Sequence, residues 1–141
     1  MVSNRIQQWD FYRSGIIEQI FGFARLRADQ LNVSAPRERG PNRLERRNNT
    51  VIPVISASAR AQEFSLTGSE RYRTYMEANP DALQETGLNR SQTRLILNYV
   101  NGERSVTMIR NYISAESGQD IPLEGVVSYL EMLREMDWVE Y

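Results

Sequence analysis

The sequence predicts a mostly α protein, with a long amphipathic helix at its N-terminal end and a C-terminal module of three helices followed by a short strand. Three observations carry this. Apolar residues recur at three-to-four spacing over residues 6–31 and again over 90–133. Capping residues and left-handed breakers punctuate the second stretch at helical intervals. The final six residues, Met136-Asp137-Trp138-Val139-Glu140-Tyr141, alternate apolar and polar as a half-buried strand does.

The first helix is expected over 6–31. Ile6, Trp9, Tyr12, Ile16, Ile17, Ile20, Ala24, Ala28 and Leu31 mark one face. Phe11, Phe21 and Phe23 widen it, while Gln7, Arg13, Glu18, Gln19 and Arg25 lie on the polar side. A single helix cannot bury so wide a face against itself, so it needs a partner surface in this chain or another. Trp9, Tyr12, Phe21 and Arg25 are of the residue types that dominate interface energetics and are the predicted partner-binding set.

Residues 36–49 hold two prolines, a glycine and one large apolar residue, Leu44, so a linker or mobile loop is predicted there. Arg37, Arg39, Arg43, Arg46 and Arg47 against two glutamates give it a net +3. Such an arm could touch an acidic partner or nucleic-acid phosphates. No aromatic residue interleaves the arginines, which disfavours single-strand stacking. Thr50–Ser56 is β-branched with Pro53 in its middle, predicting an edge strand or an extended surface segment. A short helix is expected within 58–66, and Ser69 should cap another over 70–78 that Asn79-Pro80 ends.

From residue 88 onward, Asn89 or Ser91 caps a helix bearing Leu95, Ile96, Tyr99 and Val100, closed by Asn101-Gly102. Ser105 caps the next, with Val106, Ile109, Tyr112 and Ile113 inward, ended by Gly118. The third is expected from Asp120 with Pro122 in its first turn, burying Leu123, Val126, Val127, Leu130 and Leu133. Three helices and a strand form helix-turn-helix topology with the start of a wing, the second wing strand lacking. The predicted organisation is thus an amphipathic helix (1–35), an Arg-rich linker (36–50), a short strand with helices (51–87) and a winged-helix-like domain (88–141).

The run from Leu95 to Val106 with its Asn101-Gly102-Glu103-Arg104-Ser105-Val106 turn, then Ile109-Arg110, Val126 to Leu133 and Trp138-Val139-Glu140, resembles the PqqD-like winged-helix pattern. The resemblance covers about a third of the chain. It implies a peptide-presenting or accessory domain, of the kind also appended to some di-zinc aminopeptidases. The zinc-binding His and Asp pattern of those enzymes is missing, so the resemblance carries no peptidase activity with it, and any enzyme part would be inactive on its own.

Composition narrows the function classes. The chain has no histidine, no cysteine and no lysine; all 17 basic residues are arginine, against 18 acidic. This removes the usual zinc ligands, the commonest general base, thiolate chemistry and Schiff-base chemistry. The eight glycines form no phosphate cradle, and no acidic loop has calcium-site spacing. Carboxylate pairs such as Glu77 with Asp81 or Glu131 with Glu135 have the spacing of solvated helix faces. No catalytic residue, metal or cofactor is therefore expected. No run reaches the roughly 18 apolar residues that span a bilayer. With no signal peptide visible, the expected address is the cytoplasm. DNA binding is disfavoured because the third helix exposes Glu124, Ser128, Glu131, Arg134 and Glu135, a net −2. It would need Arg90, Arg94, Arg104 and Arg110 to form a patch with the Arg37–Arg47 segment. The leading expectation is a non-catalytic interaction or accessory module with a protein partner or a second copy. A winged-helix DNA-binding regulator is one alternative, and the C-terminal part of a peptidase-like enzyme, inactive on its own, is the other.

Overall fold

In the computed structural model, residues 2–35, 39–62 and 65–141 are described, with side chains from residue 15 onward except that of Gln62. The chain forms two units, Met1–Gly40 and Pro41–Tyr141. The first is one helix, α1 (Val2–Leu31). Asn32 ends it in the left-handed region (φ 54°), and Val33 N–H then reaches back to the Ala28 carbonyl at 3.0 Å. Asparagine tolerates that conformation better than most residues, so the stop is local chemistry.

The second unit is built from α2 (Arg43–Asn48), β1 (Val54–Ile55), α3 (Ala57–Gln62), α4 (Glu70–Ala78), α5 (Ala82–Glu85), α6 (Arg90–Tyr99), α7 (Val106–Ser117), α8 (Leu123–Glu135) and β2 (Val139–Glu140). A single 3₁₀ turn at Leu66–Gly68 precedes α4. The protein is mostly α, as predicted.

α8 is the central element. Val126, Leu130 and Leu133 are essentially inaccessible and meet Ile96 of α6 with Ile109 and Ile113 of α7. Each such side chain contributes about 1.5–3 kcal/mol relative to an exposed position. Val127, predicted inward, is half-buried, whereas Tyr129 and Met132, on the other flank of the helix, are buried. At Gly125 the helix passes so close to the α5–α6 connection that a Cβ would stand 2.4 Å from the Thr86 carbonyl oxygen.

The predicted caps are in place. Ser69 accepts from the Tyr72 N–H, Ser105 from Met108 N–H, and Asn89 with Gln92 forms a reciprocal capping box. Gly118 closes α7 in the left-handed region (φ 65°). α8 starts three residues later than Asp120. Ile121 is buried and its N–H donates to Ser114 Oγ at 3.1 Å, so this residue belongs to the α7 exit and Pro122 becomes the N-cap.

Three expectations fail. Tyr112 of α7, expected inward, is 45% exposed. The Arg-rich segment is not an unstructured linker throughout: α2 forms within it, nucleated by a capping box in which Asn42 Oδ1 accepts from Glu45 N–H and Glu45 Oε2 accepts from Asn42 N–H. Leu44 then packs against the core. The terminal strand also has a partner. β2 pairs antiparallel with β1, Val54 opposite Glu140 and Ile55 opposite Val139. Pro53 is fully buried rather than lying on the surface. Its carbonyl accepts from Gly102 N–H at 3.1 Å and that of Val51 from Val106 N–H at 2.9 Å, so its missing N–H costs nothing here. Among the described residues no helix is long and apolar enough to cross a membrane.

Candidate interaction surfaces

On α1 the three-to-four spacing places Ile16, Ile20 and Phe23 in one line, with Ile17, Phe21, Ala24, Ala28 and Leu31 in the adjoining line. The first line is open: Ile16 is 57% exposed, Ile20 60% and Phe23 73%. Leu26 and Leu31 are exposed as well. Of the predicted partner set, the side chains of Trp9 and Tyr12 lie outside the described residues. Phe21 is half-buried and Arg25 exposed, one turn apart on the far border of the apolar stripe. The exposed large apolar side chains described on α1 are Ile16, Ile17, Ile20, Phe23, Leu26 and Leu31. Helical periodicity marks a wide face but cannot tell which edge stays uncovered.

The basic segment has a different geometry from a free arm. Arg37 lies outside the described residues. Arg39 is exposed before α2, and Arg43, Arg46 and Arg47 are exposed on the helix itself. Arg46 Nη1 donates to the Pro41 carbonyl at 3.0 Å. The inward residue is Glu45. Arg110 Nη2 donates to its Oε1 at 2.8 Å, with the two side chains only 19% and 18% exposed. Arg110 Nη1 also lies 3.8 Å from the exposed Asp120 carboxylate.

The four arginines that would have to join this segment fall into three environments. Arg110 is held by Glu45. Arg104 sits over the stacked rings of Tyr99 and Tyr112, its Cζ 5.4 Å and 5.5 Å from their centroids. Tyr99 donates to Glu116 Oε2 at 2.7 Å, and that bond, more than desolvation, raises its phenol above the ordinary value. Arg90 and Arg94 line a separate cleft with Leu97 and Tyr129. Sequence reasoning named these side chains without their surroundings, because Tyr112, Glu116 and Tyr129 come from helices other than theirs.

The exposed face of α8 remains acidic. Glu124 and Glu135 point to solvent, and Arg134 is neutralised by Glu131 at 2.7 Å while lying over the Tyr141 ring at 5.3 Å. Tyr141 donates to Glu131 Oε1 at 2.6 Å; burial first, then that bond, pushes its phenol up to about 12. Tyr75 donates to Glu135 Oε2 at 2.8 Å. These carboxylates serve as acceptors for neighbouring tyrosines. Among the described residues no three carboxylates converge to hold a metal ion. Set against family models, curated proteins and solved structures, the chain matches none.

Proposed function

We propose that this chain is a non-catalytic interaction module whose docking element is α1 and whose 88–141 region is a winged-helix-like accessory domain of PqqD-like kind. The observation that carries the reading is the open line Ile16, Ile20 and Phe23 on a 30-residue helix. An isolated helix is marginal in water, and its stability comes from covering an apolar face. Such a stripe is characteristic of helices that complete their packing on another polypeptide. A second copy is the simplest occupant, because residues 16–31 of α1 carry as many acidic side chains (Glu18, Asp29) as basic ones (Arg25, Arg27) and so have no net charge to repel a second copy. Two copies of one face can then pair about a two-fold axis without like-charge conflict.

The test is solution mass by light scattering over a wide concentration range, for the native chain and for the Ile20→Ser/Phe23→Ser variant. The expected result is a mass above the 16.4 kDa monomer that falls to the monomer in the variant, with α1 helicity dropping alongside. A native chain that stays monomeric at every concentration with α1 fully helical would overturn the reading.

The DNA-binding reading has one observation in its favour, the exposed Arg43, Arg46 and Arg47 on α2. Against it stands the acidic face of α8, which would add repulsion to every phosphate approached. Titration with random duplex DNA at two salt concentrations separates the two. The interaction module shows no micromolar, salt-steep binding.

A further inference from the structure

A cleft of about 890 Å³ opens beside α6, with Arg90 and Arg94 at its edge and Leu66, Leu83, Leu88 and Leu97 in its walls. Tyr129, 2% exposed, closes its base. Its size falls within the range of roughly 300–1,000 Å³ typical of small-molecule sites. The charge distribution is one-sided. Among the described residues no aspartate or glutamate lines the cleft, and neither guanidinium has an ion-pair partner there. Both arginines are exposed and stand one turn apart, at i and i+4, so they point the same way. Arg90 is also the first residue of α6, where the helix dipole is positive and a cation is unfavourable. No acidic residue occupies that first turn to offset it. In a chain of net charge −1, this builds a local positive potential over an apolar floor.

We infer that this cleft binds an amphipathic organic anion, its carboxylate against Arg90 and Arg94 and its apolar body over Leu88, Leu97 and Tyr129. The guanidinium pair offers planar donors suited to a carboxylate. Ser91, also in the lining, supplies a hydroxyl beside the carboxylate, whereas Thr93 Oγ1 already donates to the Arg90 carbonyl at 3.0 Å. An acyl carboxylate is the simplest molecule of this chemistry. Sulfonates and phosphates with a bulky apolar group share it.

The test uses the full chain and decanoate below its micellar range, followed by calorimetry and by backbone-amide shifts. Decanol supplies the same chain without the charge. The native protein should bind one decanoate saturably, with shifts concentrated on residues 88–97. Arg90→Gln/Arg94→Gln should weaken binding ten-fold or more, and decanol should bind at least ten-fold more weakly than decanoate. Both arginines are exposed, so that variant keeps its fold, which circular dichroism checks. The open face of α1 could also take an acyl chain, so Phe23→Ser is run in parallel and should leave the affinity unchanged. Absence of saturable binding by the native chain would overturn the inference. So would equal affinity for the double variant or for decanol, or loss of binding in Phe23→Ser.

Discussion

Gly125 offers a test of how closely α8 meets the α5–α6 connection. A glycine in the middle of a helix is ordinarily a weakness, and Gly→Ala there should stabilise by about 1 kcal/mol. Here the added Cβ would lie 2.4 Å from the Thr86 carbonyl oxygen and 3.4 Å from Leu88 Cδ2. The first contact is with backbone, so no rotamer change relieves it. Either α8 or the Thr86–Leu88 turn must move by at least the 0.6 Å separating 2.4 Å from the 3.0 Å floor of real Cβ contacts. Thr86 is itself anchored, its Oγ1 donating to the Leu83 carbonyl at 2.7 Å. Overpacking of this kind costs about 1–3 kcal/mol, and a backbone clash belongs at the upper end. Subtracting the propensity gain leaves Gly125→Ala destabilised by about 1–2 kcal/mol. For a unit of this size that lowers Tm by about 5–10 °C. The matched control is Gly22→Ala, because nothing lies within 4 Å of a Cβ built there. It should raise α1 helicity by the propensity term alone. Thermal and urea unfolding followed by circular dichroism read both. A Gly125→Ala variant as stable as the native chain would refute the close approach on which the argument rests.

Two further outcomes follow from the polar contacts. Glu45→Gln removes the charge facing Arg110 across a mostly buried 2.8 Å contact and weakens the α2 capping box, so urea unfolding should show a loss of about 1–3 kcal/mol; an unchanged midpoint would mean that α2 is not held by this pair. The tyrosines set an alkaline limit. Tyr75, Tyr99, Tyr129 and Tyr141 all titrate above the ordinary phenol value in the folded protein. A group held protonated by the fold contributes stability fully below its unfolded pKa of about 10, and loses it as pH rises through the folded value. For Tyr141 that window runs from about 10 to about 12. Tyrosinate absorbance should therefore rise in two phases with unfolding in the second. A single phase centred at the ordinary value would contradict the burial of Tyr129 and Tyr141 and the carboxylate bonds of Tyr75, Tyr99 and Tyr141.

What could be read from sequence was what is decided locally. Ser69, Asn89 and Ser105 cap because a side-chain oxygen three residues ahead of a free N–H needs no information from elsewhere. α2 was legible by the same rule, since Asn42 and Glu45 have capping-box spacing, but the prolines and arginines around them outweighed it. The β1–β2 pairing was not legible. It joins residues more than eighty positions apart, and nothing in the spelling of Val54-Ile55 specifies Val139-Glu140. The candidate surfaces divide in the same way. Periodicity located the apolar face of α1 without the exposure of each residue on it: Phe21 is half-buried and Phe23 is 73% exposed. Arg90, Arg94 and Leu97 share α6, but Leu66, Leu83, Leu88 and Tyr129, which make them the mouth of a cleft, arrive from outside that helix.

The β1–β2 pairing also has a consequence for the order of events during synthesis. Ser56 Oγ donates to the Asp137 carbonyl at 2.7 Å across 81 positions of sequence. Ser56 N–H donates to the Trp138 carbonyl at 2.9 Å, and Arg71 adds a 3.1 Å ion pair to the Asp137 carboxylate. At ribosomal rates of about 5–20 residues per second, β1 waits roughly 4–16 s for its mate to be made. Through that interval Val51–Ile55 is a β-branched, unpaired strand edge, the kind of segment that nascent chains lose to aggregation. The arginines just upstream and the proline within it act as gatekeepers over those seconds.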